Sequence, residues 1–109
     1  MKETVLKEKS FEFANRVVKL YQYLCENKKD CFLSEQLLQY GTSVGAFVRR
    51  AEYAEDKKDF MREMIIAQNN INQTMYWLDL LKHTDTLTLD IYEDINTDAE
   101  EILKMICSL

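Results

Sequence analysis

The stretch L-L-Q-Y-G-T-S-V-G-A-F-V-R-R-A-E-Y-A, from Leu37 to Ala54, decides how the chain folds. It holds the only two glycines, Gly41 and Gly45, four residues apart inside a helical apolar pattern. Glycine in a helix interior costs roughly 1 kcal/mol against alanine, so a pair at this spacing needs a physical reason. Close approach of another helix is one, because small residues at i and i+4 let two backbones meet. The rival reading, a phosphate-cradling loop, needs a preceding strand and a G-x-x-x-x-G-K-[ST] or G-x-G-x-x-G pattern, and neither is present. Gly41, Thr42, Ser43, Val44, Gly45 and Ala46 therefore read as a helix-packing motif.

Working outward, Leu33, Leu37, Tyr40, Val44, Phe47, Val48 and Ala51 recur at about 100° per residue and predict a helix over 33–54. Before it, Phe13, Val17, Leu20 and Leu24 form one stripe, and Phe11, Ala14, Val18, Tyr21 and Cys25 form a second. These predict a helix over 10–27 that touches two neighbours, with Ser10 as N-cap. Residues 1–9 read as a frayed, charged lead-in, and 27–30 as a turn. After it, Asp56-Lys57-Lys58-Asp59 resembles a capping box that opens a helix over 57–82. Its main stripe is Phe60, Met64, Ala67, Ile71, Met75 and Leu78. A second apolar set, Ile65, Ile66, Tyr76, Trp77 and Leu80, lies largely on the other side and is the candidate oligomer interface. Trp77→Glu is accordingly expected to lower the oligomeric state. A threonine-rich connection, Thr84 to Thr88, leads to a fourth helix over 88–108, built on Ile91, Ile95, Ala99, Ile102 and Ile106. Short connections force antiparallel neighbours, so the predicted fold is all-α: one antiparallel up-down-up-down four-helix bundle domain over residues 1–109.

Composition agrees. The 109 residues are 47% hydrophobic and 30% charged, with no proline. The net charge of −5 is uneven: residues 84–109 hold seven acids against Lys104 alone, and residues 1–83 hold 13 basic and 12 acidic side chains. The acids of the fourth helix read as a solvated face. No apolar run reaches the ~18 residues of a membrane span, and Cys25, Cys31 and Cys107 form no CxxC pair, which suits reduced thiols in a cytoplasmic protein. His83 is the only histidine, so no zinc or cofactor site is expected. No motif pairs a nucleophile with a base, and the chain is not expected to be an enzyme. Arg49, Arg50, Lys57, Lys58 and Arg62 cluster around the second turn as a candidate nucleic-acid contact. Glu52, Glu55, Asp56 and Asp59 interleave them, which equally describes a salt-bridged corner.

Gly41-Thr42-Ser43-Val44-Gly45-Ala46, Asp59-Phe60, Ile66-Ala67, Thr74 and Tyr76-Trp77-Leu78 together resemble the bacterial four-helix bundle proteins, the 23S rRNA intervening-sequence proteins. A more distant resemblance is to the accessory variability proteins of diversity-generating retroelements. The first resemblance implies a homo-oligomer, a ring-shaped pentamer, with no established catalytic activity. The second implies a nucleic-acid or protein partner reached through basic surfaces. The chain departs from the family pattern at Gln39-Tyr40, where Arg-Ser is usual, and at Phe47, where Asn is usual; Asn70 and Gln73 replace family glutamates. The packing core of the motif is kept and its polar surroundings are not, which suits a scaffold whose partner is itself, another protein or structured RNA.

Overall fold

The computed structural model describes residues 2–27 and 31–109. They form four helices: α1 Lys2–Asn27, α2 Cys31–Glu52, α3 Lys57–His83 and α4 Leu89–Cys107. Among the described residues there is no strand. Each helix packs on its neighbours in chain order, and α4 returns to α1, so the four close into an antiparallel bundle without diagonal contacts. At 1.5 Å per residue the 27-residue α3 spans about 40 Å, which matches the 44 Å long axis of the molecule.

α1 begins at Lys2, not at Ser10. Leu6 is fully buried, four residues before Ser10 and seven before Phe13, so the core stripe extends into the expected lead-in. Ser10 is buried in the helix interior, where its hydroxyl donates to the Lys7 carbonyl at 3.1 Å and caps nothing. α2 starts at Cys31; of the expected first turn, Lys28, Lys29 and Asp30 lie outside the described residues. Asp56 caps α3, its carboxylate accepting from the Asp59 amide at 2.8 Å. Asp59 turns its own carboxylate to Arg62 at 3.0 Å, so only half of the capping box forms. Between α3 and α4, Asp85 takes a left-handed conformation at φ 59°, and Thr88 caps α4.

The core is the inward stripe of each helix: Leu6, Phe13, Val17 and Leu24 meet Leu37, Val44, Ala67, Ile71, Leu78, Ile95 and Ile102. Burying one such side chain contributes about 1.5–3 kcal/mol. Both glycines of α2 face α1. A Cβ on Gly41 would lie 2.9 Å from Cγ1 and Cγ2 of Val17, and one on Gly45 would lie 3.3 Å from the carbonyl oxygen of Ser10. The bare backbone of α2 is what lets α1 sit this close.

Charges close the far side. Arg16 of α1 pairs with Asp94 at 2.6 Å and with Asp98, and Lys9 pairs with Glu101. The acids of α4 therefore divide. Asp94, Asp98 and Glu101 bind α1, whereas Asp90, Glu93 and Glu100 are exposed as a solvated face would be.

Candidate functional site

Charge is missing from one side of the bundle. Residues 36–48 of α2 and 64–78 of α3 contain no Asp, Glu, Lys, Arg or His, whereas neither α1 nor α4 goes two turns without a charge. The two runs lie in register. Arg50 faces Glu63 across the antiparallel pair, which sets residue 48 level with about 65 and residue 36 level with about 77. Charged residues stop at both ends together: Arg49, Arg50, Arg62 and Glu63 at one, Glu35 and Asp79 at the other.

On α3 this run shows a ridge. Ile65 and Tyr76 are 52% and 58% exposed, and Asn69, Asn72 and Gln73 lie open between them. The five residues of the expected interface are thus not equivalent. Ile66 and Leu80 are half-buried. Trp77 is half-buried against the core, with its ring edge-on to Tyr76 at 5.1 Å and 80°. Its indole Nε1 is buried with no hydrogen-bond partner among the described residues. A charge at Trp77 would strike the fold, so Ile65 and Tyr76 are the positions that probe the outer face.

On α2 the run floors a groove. Between α1 and α2 lies an apolar trough of about 520 Å³ over Ala14, Thr42, Gly45 and Ala46, walled by Phe11 and Tyr53. Phe11 belongs to the second apolar stripe of α1, yet it is 55% exposed, and Tyr53 is 77% exposed. The Arg49 guanidinium stacks 5.6 Å above the Phe11 ring, and Lys7, Arg49 and Arg50 rim the trough. The sequence pattern gives no sign of this groove, because it exists only where the glycines draw two helices together under a side chain as large as Phe11.

The basic corner is partly neutralised. Arg50 stacks on Phe47 at 5.3 Å and meets Glu63 through Nη2 and Nε. Glu63 is 9% exposed; its Oε1 accepts from Nη2 at 3.4 Å, and its Oε2 lies 3.0 Å from Nε as an ion pair off the N–H axis. Arg62 is held by Asp59. Among the described residues Arg49, Lys57 and Lys58 have no carboxylate partner.

No cluster of three His, Cys, Asp or Glu side chains stands ready for a metal among the described residues, and no helix there is long and apolar enough to cross a membrane. His83 Nδ1 lies 2.9 Å from the Asp79 carbonyl at the end of α3. Among the described residues Tyr92 carries the one large pKa displacement. The Tyr92 phenol donates to Asp79, and that bond, then burial, pushes its pKa up to about 12.

The sequence model for the 23S rRNA-intervening sequence protein family matches residues 2–108. A crystal structure of a protein of unknown function from the S23 ribosomal protein family of Bacteroides thetaiotaomicron superposes with a TM-score of 0.98 at 45% identity, covering 99% of this chain and 96% of that one. No curated protein matches the chain.

Proposed function

The chain belongs to the 23S rRNA-intervening sequence protein family, and we propose that it works there as a non-catalytic, self-assembling scaffold whose subunits meet through the outward face of α3. The observation that carries this is the charge-free run 64–78 on a ridge with Ile65 and Tyr76 exposed. Protein interfaces exclude charge from their core and are enriched in tyrosine, and burying an unpaired charge costs several kcal/mol. Asn69, Asn72 and Gln73 can trade hydrogen bonds across a contact without that cost. The family resemblance implies a ring of five. Light scattering tests the reading: the wild type should weigh several chains, and Ile65→Glu/Tyr76→Glu should weigh one with its helical circular dichroism intact. A monomeric wild type refutes it.

A second reading rests on Arg49, Lys57 and Lys58, the cations of the corner without a carboxylate partner. They could touch the phosphates of structured RNA, and a ring would repeat the contact. A gel shift at low salt that is lost in Arg49→Ala/Lys57→Ala/Lys58→Ala would support it, and no shift at micromolar protein would eliminate it.

A further inference from the structure

We infer that Cys25 and Cys31 form a redox-active dithiol where α1 gives way to α2, and that a hydroperoxide converts it to a disulfide joining the two helices. Cys25 lies in the last turn of α1 and Cys31 opens α2. Both side chains are half-buried. The antiparallel register sets them level. Counted from the Val17–Gly41 contact, Cys25 falls two residues from level with Cys31; counted from the Ser10–Gly45 contact, it falls one residue from level on the other side. Cα atoms that face each other across helix axes about 8–10 Å apart stand about 3.5–5.5 Å from one another. A small offset round the helix brings that to the roughly 4.4–6.8 Å that a disulfide spans.

The two thiols also share a flank. Tyr21 lies one turn before Cys25 on α1, and Glu35 one turn after Cys31 on α2. The Tyr21 phenol is held above its ordinary pKa chiefly by a hydrogen bond to the Cys25 sulfur, then by burial, with Glu35 and Cys31 adding negative charge from α2. One phenol thus senses both sulfurs, which puts them on the same side of the helix pair. Cys107 is remote from them: Lys9 meets Glu101, so the end of α4 lies beside the start of α1, at the other end of the bundle.

The chemistry needs only the oxidant. One thiolate attacks a peroxide oxygen, the O–O bond breaks, and the sulfur becomes a sulfenic acid as an alcohol or water leaves. The second thiolate attacks that sulfur, the S–S bond forms, and the sulfenic oxygen departs as water. The two thiols give up two electrons and two protons, and the hydroperoxide takes them.

Hydrogen peroxide supplied to the folded wild type tests this, with the remaining thiols alkylated and the tryptic peptides read by mass spectrometry. Lys28 and Lys29 lie between the two cysteines, so trypsin parts them unless a disulfide holds the peptides together. The expected product is a linked Cys25–Cys31 pair, lighter by two hydrogen atoms, opened by dithiothreitol and formed equally in Cys107→Ser. It should run as a single chain on a non-reducing gel. Closure should be roughly tenfold faster in the folded protein than in urea, because the fold holds the sulfurs in register. Equal or slower closure in the folded protein would show that the helices keep the sulfurs apart, and the inference falls. Oxidation confined to Cys107, or links only between copies, overturns it as well.

Discussion

Gly41 of α2 and Val17 of α1 are so close that a Cβ on the glycine would stand 2.9 Å from both valine methyl groups. Val17 is fully buried, and its branched side chain has no free rotamer to withdraw into. Gly41→Ala should therefore destabilise the bundle, overpacking of about 1–3 kcal/mol exceeding the roughly 1 kcal/mol that alanine returns as helix propensity. Gly45→Ala meets the Ser10 carbonyl oxygen at 3.3 Å and the Ser10 hydroxyl at 3.6 Å, the first within the range of a weak C–H···O contact. That oxygen belongs to the α1 backbone, which yields little, so strain offsets the helix-propensity gain and Gly45→Ala should cost less than Gly41→Ala, about 1 kcal/mol or less. Urea denaturation of both variants, with Val17→Ala/Gly41→Ala closing a double-mutant cycle, checks the contrast; equal effects at the two glycines would contradict it.

The Arg50–Glu63 pair should respond unequally to loss of either partner. The Glu63 side chain is 11% exposed and that of Arg50 is 66% exposed. Removing the arginine strands a buried carboxylate, whereas removing the acid frees an exposed guanidinium. Arg50→Ala should cost about 1–3 kcal/mol and Glu63→Gln about 1 kcal/mol or less. Reversal of that order in chemical denaturation would mean that solvent already serves Glu63.

Trp77 packs by shape alone. Its indole N–H has no partner to lose among the described residues, so Trp77→Phe should change stability by about 1 kcal/mol or less, whereas Trp77→Ala should cost about 3–5 kcal/mol. Both should keep the subunit mass of the wild type, because Ile65 and Tyr76 are the exposed side chains of the ridge. Thermal melts and light scattering on the same samples separate the two effects.

Tyr92 gives the molecule an alkaline dependence. Its folded pKa of about 12 stands above the unfolded value of about 10. The folded state therefore holds its proton where the unfolded state has released it. The contribution is fully present below pH 10 and is lost as pH rises towards 12. After solvent screening it should be roughly 1 kcal/mol. The stability gap between wild type and Tyr92→Phe should shrink between pH 9 and 11.5; a constant gap would show that the phenol does not titrate differently in the two states.

Much of the bundle is legible in the chain, and the exceptions have physical causes. Asp56 reads correctly as a cap because a carboxylate three residues before a free amide has few other uses. Ser10 misleads because a small polar residue before an apolar run fits a cap and a tight helix crossing equally well, and only Gly45 opposite decides between them. The acids of α4 look solvated until α1 brings Arg16 and Lys9 beside them. The apolar second face of α3 is visible by periodicity, yet the division between Trp77 and Ile65 is not, since it depends on how far α2 wraps over α3. The charge-free runs are plain in the sequence, but their coincidence appears only once Arg50 is set opposite Glu63.

The seam between the first and last helices has a different character from the other three. α1 and α4 share the common apolar core through Leu6, Phe13, Ile95 and Ile102, and outside it Arg16 and Lys9 reach three carboxylates, more ion pairs than any other seam carries among the described residues. Dissolved ions compete with pairs of this kind and leave buried apolar packing in place. Salt should therefore weaken this seam more than the others, and only modestly for pairs this exposed, while the charge-free runs of α2 and α3 lie away from it.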